Sequence, residues 1–405
     1  MRTRYRVPLG ALLAAILLLV FVVPGNGQSP GASHPRPTTE QPASGEARTA
    51  PRALPGHVFF NDPLGGTRAK FALVRHINEA IRRSPRGSTI RVAEYSFAMP
   101  STAAALVNAH RRGVVVQVIV DDHAARWRSV RELARALGMH KHADSFVRVC
   151  HRSCRGGPGN QHAKFVTFSR TGRKQDLVMI GSVNFTRFNA MEQWNDLYTV
   201  ADPRLYTQVR GWFRLMKKDR PQAQLKFPGA GEGMRMVISP LVDPSKRDDP
   251  VYQRLQAVRC RGARHAGDPQ HRTIIRIAMH AWNGSRGVLL ARQMAGLHEL
   301  GCNVKVLYGI GIGRQVLSIL TKAGVPVRNS EDRGRRVHEK VMILSGVLGK
   351  DRSAKFVWTG SHNWSNRSLV NDEVILRVEG ARLVGGYLHN FQTMWSLVAP
   401  RRAGG

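Results

Sequence analysis

Acidic side chains are scarce. Only 27 Asp and Glu stand against 62 Lys and Arg, a formal charge of +35 over 405 residues that excludes an acidic or neutral enzyme. Lysine is also thin, 13 against 49 Arg, a skew that a GC-rich genome produces as readily as selection for charge. Aromatics make up only 7%, yet 42% of the chain is hydrophobic, enough for a sizeable core, which excludes a mostly disordered polymer. The length predicts about two domains of 100–200 residues each.

Long apolar runs are absent apart from residues 9–23, which follow Arg2, Arg4 and Arg6 and end at Pro24 with Gly25 and Gly27 behind. That order predicts a signal peptide over residues 1–27 and a secreted protein; the alternative is an uncleaved membrane anchor. Residues 28–55 are rich in Pro, Ser and Ala and read as a flexible linker. Cysteines are few but even in number: Cys150, Cys154, Cys260 and Cys302. In an exported chain they predict disulfides, Cys150 with Cys154 and Cys260 with Cys302, although three connectivities are open. A zinc site on Cys150, Cys154 and His151 is the weaker reading, because a second ligand pair at structural-zinc spacing is missing.

What the chain has in full is an internal repeat. Residues 91–120 and 276–308 both read strand, helix, strand, with Pro100–Ser101 opening the first helix, Gly113 closing it and an apolar run from 114 to 120 behind. The periodicity also predicts a helix over 66–83 that stops at Ser84-Pro85-Arg86-Gly87. Duplicated βαβ units predict an α/β fold of two pseudo-symmetric α/β/α lobes, 56–228 and 229–400, with mostly parallel central sheets and an active site between them.

The repeat continues into polar residues that a core does not need. His162-x-Lys164 precedes Gly181-Ser182-x-Asn184, and His338-x-Lys340 precedes Gly360-Ser361-x-Asn363. About half an H-x-K match is expected by chance from this composition, and chance does not place both pairs in register. Two residues apart on a strand, each His and Lys share a face, and the returning hairpin brings Ser and Asn beside them. Facing quartets suit a phosphodiester: Lys and Asn hold the nonbridging oxygens, one His attacks and the other protonates the leaving oxygen.

These paired motifs resemble the phospholipase D superfamily over roughly residues 56–400. The resemblance implies a phosphohistidine intermediate, no metal and no cofactor, with His162 as nucleophile and His338 as acid. The family pattern has Asp five residues after each Lys, whereas this chain has Ser169 and Ser345. Family members also place an acid downstream to orient each imidazole. Aligning WNDLYTV with NDEVILRV offers Asp196 and Glu373 for that role.

His280 occupies the repeat position of Tyr95, as a cleft residue or a core histidine. His140, His142 and His151 read as solvated. Trp282, Trp364 and Trp395 read as a lipid-facing rim or as core. The expected partners are phospholipid or an anionic membrane surface, with nucleic acid as the alternative to which +35 is equally suited. With both motifs in one chain, a monomer is expected. A catalytically weak phosphate- or lipid-binding protein is the third reading, resting on Ser169 and Ser345.

Overall fold

The computed structural model describes residues 56–221, 233–240 and 248–398. The expected signal segment, the linker and the 228/229 lobe boundary lie outside them.

In the first lobe the strands are β1 (His57–Phe60), β2 (Thr89–Glu94), β3 (Val115–Asp121), β4 (Phe146–Cys150), β5 (Phe165–Thr171), β6 (Lys174–Gly181), the short β7 (Gln193–Trp194) and β8 (Asp196–Ala201). Seven of them form one sheet in the order β1-β8-β6-β5-β2-β3-β4. The second lobe has β9 (Met234–Ser239), β10 (Val258–Arg259), β11 (Ile274–Trp282), β12 (Asn303–Ile312), β13 (Val327–Asn329), β14 (Arg336–Val337), β15 (Lys340–Leu348), β16 (Asp351–Gly360) and β17 (Glu373–Glu379). Its sheet runs β13-β12-β11-β15-β16-β17-β9, with β10 beside β15.

The two orders show the expected duplication, with one correction: the sheets are mixed rather than mostly parallel. Within these two sheets only strands joined through helices, β2-β3-β4 and β11-β12-β13, run parallel. The connections from β5 to β6 and from β15 to β16 span two residues, too short for a crossover, so those pairs are antiparallel. The remaining neighbours in each sheet, from β2 to β5 and from β6 outward, are antiparallel as well.

Strand alternation divides the first sheet between two cores. Val92, Val118 and Val166 face the helices Ala72–Arg82, Pro100–Arg111 and Arg128–Leu137. Ala93, Ile119 and Phe165 face helix Pro203–Met216, with its Trp212 and Phe213, together with Met236, Ile238, Val374 and Leu376 of the second lobe. One apolar core is therefore shared between the lobes. The helix expected over 66–83 is broken at Phe71 into Thr67–Lys70 and Ala72–Arg82.

Both disulfides pair as expected, Cys150 with Cys154 and Cys260 with Cys302, so these sulfurs are oxidised and not zinc thiolates. His151 lies exposed beside Asp122 at 3.1 Å, and His140 and His142 are exposed. Trp282, Trp364 and Trp395 are buried, the first two edge to face at 4.5 Å, which makes them core rather than a rim.

Candidate active site

The H-x-K residues, expected on strands, stand instead at the strand margins. His162 and Lys164 precede β5, His338 precedes β15, and only Lys340 belongs to a strand, as its first residue. The reason is that both segments bond across to the other lobe. The His162 backbone N–H donates to Asp372 O at 3.0 Å and the His338 N–H to Trp194 O at 3.0 Å. Beside these bonds, Gln161 bridges to Asp372 and β14 pairs with β7 in parallel. The pseudo-two-fold thus carries each histidine to the seam.

At the seam each imidazole finds an Nδ1 partner from the opposite lobe. His162 Nδ1 lies 2.9 and 3.0 Å from the two oxygens of Glu373. His338 Nδ1 lies 2.8 Å from Asn195 Oδ1, with Asn189 Nδ2 at 3.2 Å. The orientation of Asn195 is settled by its Nδ2, which donates to the carbonyls of Asn189 and Gln193 at 3.1 and 2.9 Å. Its oxygen therefore faces His338, and because an amide oxygen only accepts, His338 Nδ1 carries the hydrogen.

The alignment of Asp196 with Glu373 is off by one. Ser182 Oγ accepts from the Asp196 N–H and Ser361 Oγ from the Val374 N–H, each at 3.1 Å. Asp196 therefore corresponds to Val374, and Asn195 to Glu373. Asp196 points instead into the shared core, where Thr359 and Tyr387 donate to its carboxylate. Its hydrogen bonds run there and not to His338, whose Nδ1–H donates to Asn195 Oδ1.

The electrostatics follow from burial. His162 is pushed down to about 4 by desolvation, with Glu373 pulling the other way, and its ring is neutral at neutral pH. Burial, then Lys340, lowers His338 well below the usual imidazole range. For Glu373 burial favours the neutral acid, but the charge of His162 and its hydrogen bond win and hold the carboxyl at about 2. Lys164 Nζ donates to its own His162 carbonyl at 2.8 Å, and Lys340 does the same to His338. Desolvation brings Lys164 to about 8; burial and then Lys164 itself lower Lys340 well below the ordinary ammonium range. Two ammonium groups that repel each other in a dry site are a place for an anion.

The remaining predicted residues divide into scaffold and cleft. Ser182 and Ser361 brace the neighbouring strands through the bonds just given. Asn363 Oδ1 accepts from the Ala281 N–H at 3.1 Å, while Asn184 lines the cleft and its buried Oδ1 has no hydrogen-bond partner. Ser169 and Ser345 lie within β5 and β15, where they accept from the backbone N–H groups of Thr89 at 2.8 Å and Gly267 at 3.0 Å. Their hydroxyls serve the framework, away from the histidines.

Tyr95 and His280 do occupy matching places. Tyr95 sits edge to face on His162 at 4.7 Å, and His280 edge to face on His338 at 4.6 Å. Several buried groups near the site carry no motif in the sequence. Glu94, lifted to about 8 by burial against Lys164, accepts from the Tyr95 and Ser96 N–H groups. Glu339, raised by burial and Asp196, accepts from Asn390 at 2.8 Å. Asn189 lies outside any motif, so only the structure reveals it. Around His338 and His280 opens a cleft of about 610 Å3 that is also lined by Ser96, Trp127, Asn184, Arg187 and Phe188. Among the described residues, no group of three or more His, Cys, Asp or Glu is placed to hold a metal ion.

A family model described as cardiolipin synthase, PLD-like domain, matches residues 73–217 and 270–395. The mitochondrial cardiolipin hydrolase of Mus musculus is 27% identical over 117 residues, which cover 28% of this chain and 49% of the mouse protein. The Homo sapiens counterpart is 27% identical over 28% of this chain and 43% of its own length. The match thus spans about half, or less, of these relatives. Among solved structures, a phosphatidylserine synthase of Haemophilus influenzae Rd KW20 superposes with a TM-score of 0.53 at 12% identity, covering 84% of this chain and 87% of that one. A polyphosphate kinase from Porphyromonas gingivalis gives 0.58 at 15% identity, over 84% of this chain and 47% of that one. At such identities these structures show a common fold alone.

Proposed function

Because the chain belongs to the phospholipase D superfamily, with a PLD-like domain matched in each lobe, we propose that it cleaves phospholipid phosphodiesters through a phosphohistidine. One observation carries the mechanism: the two imidazoles meet at the seam with unlike Nδ1 partners, the Glu373 carboxylate on His162 and the Asn195 amide on His338.

The carboxylate suits the nucleophile. His162 is neutral, its Nδ1–H donates to Glu373, and Nε2 is left to attack phosphorus; as the N–P bond forms, the positive charge of the ring is met by Glu373. The amide suits the acid, since Asn195 fixes the ring without a charge that would hold its proton back. His338 then needs a negative charge from elsewhere to become protonated, and the phosphodiester monoanion brings it. Lys164, Lys340, Asn184 and Asn363 are the groups for the nonbridging oxygens, where charge builds as phosphorus becomes pentacoordinate. In the second half, water or another alcohol attacks the phosphohistidine while His338 takes its proton.

Phospholipid is the substrate class favoured by the family. Nucleic acid is favoured by one feature of the cleft: Phe188 is 51% exposed, with the Arg336 guanidinium 5.3 Å over its ring and Trp127 lining the same cleft, aromatic surfaces on which bases stack. Radiolabelled phosphatidylcholine, cardiolipin and plasmid DNA should be compared side by side, with His162→Ala and His338→Ala as controls. Lipid turnover lost in both variants is expected; turnover of DNA alone overturns the lipid reading, and full activity in either variant removes that histidine from the mechanism. A protein that binds phospholipid but turns over neither substrate is instead the weak binding protein. We read residues 1–27 as an export signal, with which two disulfides agree. Sequencing the N-terminus of the mature protein tests that reading.

A further inference from the structure

His280 closes one side of the cleft, and its chemistry differs from that of Tyr95 at the matching position. Its Nδ1 lies 3.1 Å from the Val337 carbonyl. A carbonyl only accepts, so Nδ1 carries the hydrogen, and Nε2 of the neutral ring is left as a bare acceptor. Burial, followed by Lys340, holds the ring neutral down to about pH 3. Tyr95 has no such lone acceptor to offer, because its hydroxyl is engaged by Asn160 Nδ2 at 3.3 Å. The ring of His280 is half-buried, stands edge to face on His338 and lines the same cleft as His338 and Asn184.

Resting on the phosphodiesterase reading above, we infer that His280 selects the acceptor of the second half-reaction and favours water over alcohols. The acceptor oxygen attacks phosphorus, the P–N bond to His162 breaks, its electron pair returns to Nε2 of His162, and the acceptor proton passes to His338. Water brings two O–H groups to two neighbouring imidazole acceptors: one proton goes to His338 and the other O–H donates to His280 Nε2. A monohydric alcohol has a single O–H, which His338 must take, and its alkyl group is left against an unpaired acceptor. A site that places an acceptor there discriminates against a ligand that lacks the donor.

The experiment reads a ratio. Wild type, His280→Phe and His280→Tyr are given the same phospholipid with a fixed concentration of ethanol, and the yields of ethanol-transfer product and hydrolysis product are measured. His280→Phe keeps a flat ring against His338 but removes the acceptor, and the transfer-to-hydrolysis ratio should rise about tenfold, roughly the worth of one hydrogen bond. His280→Tyr supplies the ring found in the other lobe and should fall between. Because both products come from one intermediate, the ratio is independent of how much of a variant folds. A ratio within twofold of wild type in both variants overturns the inference while leaving the phosphodiesterase reading intact. Absence of any phosphodiester turnover in the wild type overturns that reading, and this inference with it.

Discussion

A carboxylate on one imidazole and an amide on the other make opposite demands on pH. Glu373 raises the proton affinity of His162 and sharpens its nucleophilicity. Glu373→Gln should therefore lower kcat about a hundredfold while moving the acid limb of the pH profile to lower pH, since the ring then stays neutral further into acid. Asn195→Asp places a negative charge on His338, so its protonated form survives to higher pH and the alkaline limb should rise by about one unit. Profiles of kcat/KM measured for both variants check the assignment; an alkaline limb moved by Glu373→Gln and an acid limb moved by Asn195→Asp reverse the two histidines. How much of this was legible is a matter of particular residues. His162, Lys164, His338 and Lys340 stood in a repeated motif, and Glu373 in the strand after it. The crossing of Glu373 to the opposite lobe's histidine was not legible, because it depends on how the lobes dock. Aligning acid with acid selects Asp196, whereas the strand ladder counts backbone positions and puts Asn195 there.

At the scale of elements, the G-S-x-N turn depends on its glycine for steric reasons. A Cβ at Gly181 would lie 2.1 Å from the Asp196 carbonyl, and one at Gly360 would lie 2.2 Å from that of Val374. Gly181→Ala must push β6 from β8, taking Ser182 and Asn184 with it, and should cost more than about a hundredfold in activity; a circular dichroism spectrum close to wild type would show that the loss is local. The second element is the loop closed by Cys150–Cys154, whose Cys154 N–H donates to the buried Asp372 carboxylate at 2.6 Å, one residue from Glu373. Burial lifts Asp372 to about 7 against the pull of Arg155. Folded Asp372 keeps a proton that the unfolded chain has released above about pH 4, so its stabilising contribution is full below that and is lost as pH rises through 7. Asp372→Asn lacks that loss. The stability difference between variant and wild type, from urea titrations at pH 4.5 and 7.5, should shift toward the variant by on the order of a few kcal/mol at the higher pH. An unchanged difference would mean that Asp372 is ionised in the fold. The βαβ order of these elements and the hairpin after each H-x-K are readable from apolar spacing, but the antiparallel entry of β5 beside β2 and of β15 beside β11 is not, because the long connection before each leaves its direction open.

For the molecule as a whole, the same seam that holds the chemistry also holds the lobes together. Met236, Ile238, Val374 and Leu376 of the second lobe share a core with Trp212 and Phe213 of the first, and Trp194 of the first packs among Val341, Val357 and Tyr387 of the second. Neither lobe can complete its own site: His162 takes its partner from Glu373 and His338 takes its partner from Asn195, in each case across the seam. Unfolding should therefore be a single calorimetric transition, because exposing either lobe strips apolar surface from the other. Expressed alone, residues 56–228 or 229–400 should have no measurable phosphodiesterase activity, and combining the two pieces should restore it if they dock. Two separated heat-absorption peaks, or turnover by either piece alone, would show that the seam is not what orients the histidines. The asymmetry gives the test a further edge. A piece that dimerised on itself would pair two copies of one lobe, offering His162 only Asn195 or His338 only Glu373, and the active combination should require one lobe of each kind.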